Sequence, residues 1–113
     1  MSDCLFCRIV AGEIPATVVL DTDEVLAFRD IAPAAPTHVV VVPKAHHVDV
    51  AELTAADPGL AGRLLAAGAA VAAQEGLDEG FRLVFNTGAH GGQTVFHVHL
   101  HVLGGRHMGW PPG

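Results

Sequence analysis

Residues 96–103 read Phe96-His97-Val98-His99-Leu100-His101-Val102-Leu103, and over the first seven of them apolar side chains and imidazoles alternate strictly. A repeat of two is the repeat of a β-strand. The pattern predicts a strand over Val95 to Leu103 with Val98, Leu100 and Val102 on its core face and His97, His99 and His101 on the other. An ordinary solvated strand face favours Thr, Lys and Glu, so an unbroken row of imidazoles is a functional pattern. One metal ion cannot take all three rings: His97 and His101 would lie about 13 Å apart at roughly 3.3 Å per residue, whereas zinc holds nitrogen at about 2.0 Å. A cupin-type metal strand would also bring a glutamate after its histidine pair, and none follows. The row suits a tetrahedral anion instead. A neutral imidazole is a nucleophile near pH 7, and a neighbouring ring can stabilise an oxygen or protonate a leaving group. His99, with a helper on either side, is the natural nucleophile.

Just upstream lies Asn86-Thr87-Gly88-Ala89-His90-Gly91-Gly92-Gln93-Thr94. Its glycines, Gly92 among them, let backbone N–H groups approach an anion, and Asn86, Gln93 and Thr94 add side-chain donors. A bare glycine loop is equally a tight strand connection; set directly before the histidine row it reads as a phosphate cradle, without the Gly-Lys-Ser/Thr ending of a P-loop. The charge distribution agrees. All twelve Asp and Glu lie at or before Glu79, and the last 34 residues carry only Arg82, Arg106 and five of the eight histidines. That excludes a serine-hydrolase triad or a carboxylate-liganded metal site built within this segment, and favours an anionic substrate.

Four further strands are expected, at Thr17 to Asp21, Val25 to Arg29, His38 to Val42 and Phe81 to Asn86. Thr22-Asp23-Glu24 is short enough for a hairpin, and the prolines of the 30–37 stretch argue for an irregular loop. From about Thr54 to Glu75 the chain is rich in Ala and Leu, with Leu60, Leu64, Gly68 and Val71 at helical spacing. Thr54 and Asp57 are both candidate caps for this helix, Pro58 fits a first turn and Gly76 a C-terminal stop. Strands, one long helix and two more strands make an α+β arrangement with an antiparallel sheet.

With 113 residues, 50% of them apolar and 16% charged, and a mean hydropathy of +0.41, the chain reads as one domain over residues 1–113. The net charge of −6 argues against a dedicated nucleic-acid binder or a coat for an anionic membrane. The longest uncharged apolar run, Leu64 to Ala73, is about half of the roughly 20 residues a bilayer span requires. Met1-Ser2-Asp3-Cys4 has no basic region followed by an apolar stretch, so the expected location is the cytoplasm, with reduced thiols.

Residues 91 to 103 resemble the signature of the histidine triad (HIT) nucleotide-binding family. The likeness extends through Cys4-Leu-Phe-Cys7, Gly12-Glu-Ile-Pro15, Phe28-Arg-Asp-Ile31, Pro36-Thr-His38, Pro43-Lys-Ala-His46 and the ending Gly104 to Gly113, whose Trp-Pro-Pro-Gly is similar to the Hint branch. The resemblance implies a five-stranded antiparallel sheet with one long helix and a short N-terminal helix, the sheets joined across a homodimer. It implies hydrolysis of purine nucleoside phosphoramidates, such as adenosine 5′-phosphoramidate or adenylylated amines, through a nucleotidyl-histidine on His99. By the same resemblance His101 contacts the phosphate and helps protonate the amine, by way of Thr94, while His97 and His38 support the triad. Asp30 takes the ribose hydroxyls, Ile31 and Phe28 lie near the base, Asn86 and Gln93 lie at the phosphate, and Trp110 approaches the partner subunit's site. His47, His90 and His107 stand outside the pattern and read as incidental surface residues.

Cys4-x-x-Cys7 has three readings. A thioredoxin-like redox pair needs a preceding strand, and only three residues precede Cys4. The others are a pair of incidental thiols, or two ligands of a structural zinc completed by two imidazoles. In some bacterial relatives such a site is closed by the histidine of Pro-Lys-x-His and the first triad histidine, which implies Cys4, Cys7, His46 and His97 here. Competing with the phosphoramidase are a dinucleoside polyphosphate hydrolase, similar to the Fhit branch, and a nucleotide-binding regulatory protein with incidental catalysis. The Trp110-Pro-Pro tail argues against the first, the intact His97, His99 and His101 against the second.

Overall fold

The computed structural model describes residues 3–113; Met1 and Ser2, part of the N-terminal stretch read for an export signal, lie outside the described residues. In chain order the elements are α1 (Leu5–Val10), β1 (Val18–Asp21), β2 (Val25–Arg29), β3 (Thr37–Pro43), α2 (Val50–Ala56), α3 (Pro58–Gln74), β4 (Phe81–Phe85) and β5 (Leu100–Gly104). The strands form one antiparallel sheet in the order β1-β2-β3-β5-β4, the expected α+β architecture. Among the described residues no helix is long and apolar enough to cross a membrane.

Alternation along the central strands feeds two separate cores. Val25, Ala27, Val39, Val41, Leu100 and Val102 pack with Leu53 of α2 and with Leu60, Leu64 and Val71 of α3. Leu26, Phe28, Val40 and Val42 pack with Phe6 of α1. Helix α3 crosses the sheet closely at Gly68, where an added Cβ would lie 2.6 Å from Leu100 Cδ2 and force the leucine aside. The helix ends as expected at Gly76: at φ +72° the chain reverses, the Gly76 N–H bonds Ala73 O at 3.1 Å and the Leu77 N–H bonds Ala72 O at 3.0 Å.

The structure corrects two sequence expectations. The single helix from Thr54 is two helices, because Asp57 (φ −152°, ψ 79°) leaves the helical region before Pro58, whose ring disfavours helical backbone at the preceding residue. Asp57 then caps α3, accepting the Leu60 N–H at 3.0 Å, while Asp49 caps α2 by accepting the Glu52 N–H at 2.9 Å. The last strand begins at Leu100, not at Val95. In the register that pairs Val41 with Leu100, the next position opposite Val98 is Pro43, which has no N–H to continue the ladder. The Val98 N–H bonds His47 O instead, at 2.7 Å. The alternation of faces nonetheless persists through the irregular segment, with Val98 in the α3 core.

Candidate active site

The strand β5 carries His101, the irregular segment before it carries His99 and His97, and β3 places His38 beside them, opposite Leu103 in the ladder. His97 is fully buried, and His38 and His99 are each 8% exposed. The rings of His99 and His101 stand 4.9 Å apart, those of His38 and His101 5.1 Å apart. Phe6 packs against His99 at 5.0 Å in perpendicular geometry.

Hydrogen bonds assign the protons. His99 Nδ1 lies 2.8 Å from the main-chain oxygen of His97, so Nδ1 donates and Nε2 keeps its lone pair. His38 Nδ1 accepts the Ala34 N–H at 3.0 Å, which leaves the His38 proton on Nε2. That proton goes to His101 Nδ1 at 2.8 Å, with Asp30 Oδ2 3.4 Å away. The His101 proton is then on Nε2, a buried atom with no hydrogen-bond partner among the described residues. Asp30 is itself oriented by the Ala32 N–H, 2.8 Å from Oδ1. Burial lowers the pKa of His38, His97 and His99, and with His99 and His38 nearby it lowers His101 to about 4. The rings are neutral at pH 7, the state a nucleophile needs.

Beside the rings opens a hollow of about 260 Å³, lined by Phe28, Asp30 and Ile31 and by Leu5, Phe6 and Ile9 of α1. The first three were expected from the sequence; the α1 residues were missed. Their signal was the apolar spacing of Leu5, Phe6 and Ile9 around the cysteine pair. Ile31 is fully exposed at the rim and Phe28 is buried.

The glycine loop is tight because it bonds to itself. The N–H groups of Gly91, Gly92 and Gln93 reach Gly88 O, Ala89 O and Gly88 O, and a Cβ at Gly91 would collide with the Thr87 carbonyl oxygen. Gln93 is a buried brace: Oε1 accepts the Gly88 N–H at 2.9 Å, and Nε2 donates to Val48 O and Val95 O at 2.7 and 3.1 Å. Asn86 is half-buried, and Gly92, at φ +83°, and Thr94 are exposed. Trp110 is 84% exposed, outside the histidine cluster. His90 and His107 are exposed, but His47 is half-buried, its carbonyl holding Val98 and its ring 3.9 Å from Glu52.

A second constellation adjoins the first. The sulfurs of Cys4 and Cys7 and the Nδ1 atoms of His46 and His97 lie within 4.8 Å of one another. His97 Nδ1 is 3.3 Å from Cys4 Sγ, 3.4 Å from Cys7 Sγ and 3.2 Å from His46 Nδ1. A tetrahedral zinc with bonds of about 2.0 Å to nitrogen and 2.3 Å to sulfur spaces its ligands by about 3.3 to 3.8 Å, close to this arrangement. His97 Nε2 donates to Pro43 O at 2.8 Å, which leaves Nδ1 as the donor atom and supplies the outer hydrogen bond typical of a metal-ligating histidine. The residues thus fit a zinc ion. Asp30, His38 and His101 also converge, but the 2.8 Å between the two imidazole nitrogens is a hydrogen bond.

The family model described as HIT domain matches residues 11–108. The 14 kDa zinc-binding protein of Brassica juncea is 49% identical, covering 98% of this chain and 100% of that protein. Adenylylsulfatase HINT1 of Arabidopsis thaliana is 48% identical over 99% of this chain and 78% of its own length. Among solved structures, a HIT family hydrolase from Legionella pneumophila Philadelphia 1 superimposes with a TM-score of 0.95 at 51% identity, covering 98% of this chain and all of that one. Fold, histidine cluster and sequence agree, and the chain belongs to the HIT domain family, in its Hint branch.

Proposed function

We propose that the protein is a purine nucleoside phosphoramidase that releases AMP from adenosine 5′-phosphoramidate or adenylylated amines. The observation that carries the reading is the 2.8 Å bond from His99 Nδ1 to the His97 carbonyl, which presents an unprotonated Nε2 in a cluster of neutral rings. His99 Nε2 attacks the α-phosphorus; the N–P bond to histidine forms as the P–N bond to the amine breaks, and the amine leaves with a proton. Water then cleaves the nucleotidyl-histidine and releases AMP. His101 offers its Nε2–H to a phosphate oxygen or to the departing amine, and an anionic phosphate beside it raises its pKa from about 4 toward the range of a working acid. His38 holds His101 in that tautomer, and His97 holds His99.

The apolar hollow takes the base against Phe28 and Ile31, with Asp30 at its edge for the ribose hydroxyls. The family resemblance assigns Asn86, Gly92 and Thr94 to the phosphate, Gly92 through its small size since its N–H is bonded to Ala89 O, and Gln93 supports their loop from within. Zinc bound by Cys4, Cys7, His46 and His97 would supply structural cross-linking and no reacting group, since four protein donors fill its tetrahedron. A homodimer in which Trp110 reaches the partner's site completes the reading.

A second leaving group is favoured by the Arabidopsis relative, whose name is adenylylsulfatase: attack at the same phosphorus would expel sulfate. The test is hydrolysis of adenosine 5′-phosphoramidate and adenosine 5′-phosphosulfate by wild type and His99→Ala, with quenched reactions searched by mass spectrometry for an AMP adduct. Turnover lost in the variant and an adduct on the His99 peptide are expected. A folded wild type that turns over neither compound would overturn the reading and leave polyphosphate hydrolysis and nucleotide binding.

A further inference from the structure

We propose that the four-donor centre sets the nucleoside pocket and the nucleophile, so that a zinc-class cation in it tunes nucleotide affinity and the tautomer of His99. The inference rests on the function proposed above for the meaning of the pocket, and on two physical connections.

The first runs through α1. This helix has six residues, well under the roughly 12 to 15 that an isolated helix needs, so its position depends on what holds its ends. Cys4 caps its N-terminus, with Sγ accepting the Cys7 N–H at 3.3 Å, and both sulfurs belong to the donor set. Leu5 and Phe6 lie between them, Ile9 follows, and all three line the hollow. Phe6 also stands 5.0 Å from the His99 ring and 5.4 Å from Phe28. Drawing the two sulfurs onto a cation therefore places a pocket wall and the ring that packs on the nucleophile.

The second runs through His97. Its Nδ1 faces the other donors, its Nε2 is tied to Pro43 O, and its main-chain oxygen receives the His99 Nδ1–H. One buried residue thus joins the centre to the bond that determines which His99 nitrogen is free.

The experiment compares full-length protein loaded with one zinc per chain, the same protein stripped by a chelator, and the stripped sample reloaded. Calorimetry gives the affinity for AMP, and histidine-ring ¹⁵N shifts report the His99 tautomer. Stripping should weaken AMP binding by about tenfold, the change that a loss of about 1.4 kcal/mol produces, and should shift the His99 Nδ1–H signal, both restored by zinc. Phe6→Ala should weaken AMP binding with zinc content unchanged, because the ring touches the pocket but supplies no donor. If stripping unfolds the chain, His46→Ala, which removes one exposed donor, takes the place of the stripped sample. Failure to take up one zinc per chain overturns the proposal, as does an unchanged AMP affinity or an unchanged His99 signal after zinc loss. If loaded protein binds no AMP, the proposed function fails separately, and the His99 signal alone decides the coupling.

Discussion

On β3, Val39 and Val41 point into the cluster beneath α3, while His38, Val40 and Val42 point to the side of α1 and the histidines. Among the described residues the first face gathers fourteen buried apolar side chains and the second five, so the stability of the fold rests mainly on the α3 side. The thinner face keeps four buried or half-buried imidazoles that a thick apolar layer would have displaced. The contrast shows how one sheet can separate the two tasks. Alternation along the same strand assigns consecutive residues to packing and to chemistry, and the cost of burying imidazoles is met by pairing each with a neighbour's backbone or ring.

The largest effect that would sharpen this contrast is in His99→Ala: turnover of adenosine 5′-phosphoramidate should fall by about 10⁴-fold or more, as when other catalytic nucleophiles are removed, while the urea midpoint moves little. A variant that unfolds instead would show that the histidine face carries structural weight.

Next is Leu64→Ala on the other face. Leu64 is on the buried side of α3 and fully buried, and its truncation should cost about 2 to 5 kcal/mol in urea unfolding while kcat of the remaining folded protein is kept. Loss of turnover in fully folded Leu64→Ala would break the separation of the faces.

Smaller is the pH dependence of stability. In the unfolded chain a histidine takes its proton near pH 6.5, but in the folded protein His101 does so only at about 4, and His38, His97 and His99 are shifted in the same direction. Between those values the unfolded state holds more protons, so stability is intact above pH 6.5 and is lost progressively as pH falls toward 4. For His101 the loss is at most about 3 kcal/mol. Urea titrations at pH 7.5, 5.5 and 4.5 should show the decline, and His101→Gln should flatten it; an unchanged slope in that variant would refute the assignment.

The smallest effect belongs to neither face. Arg63 and Glu24 meet at 2.9 Å with both side chains half exposed, and Arg63→Ala should leave the thermal midpoint essentially unmoved. A clear drop would mean that the surface pairs share the load assigned to the α3 core.

Much of this molecule is local information. The period of two over residues 96–102 determined which residues face the core even where no ladder forms, and the spacing of Leu60, Leu64, Gly68 and Val71 determined the buried side of α3. Side-chain direction along a strand or helix follows from backbone geometry alone, so a single segment is enough to read it. Asp57-Pro58 also carried the break between α2 and α3, although the composition of the stretch reads as one helix.

What required the tertiary structure depends on residues far apart in the chain. Val98 leaves the ladder because strand register sets it opposite Pro43, and Cys4 meets His97 across 93 residues. The proton positions are of the same kind: each depends on a partner brought by folding, Pro43 O for His97, the His97 carbonyl for His99 and the Ala34 N–H for His38. Residue types and their periods specify which groups can do chemistry. Which nitrogen is free to do it, and which donors converge on one point, is decided by strand pairing and by the packing of α1, because hydrogen-bond direction and donor distance are properties of the assembled fold.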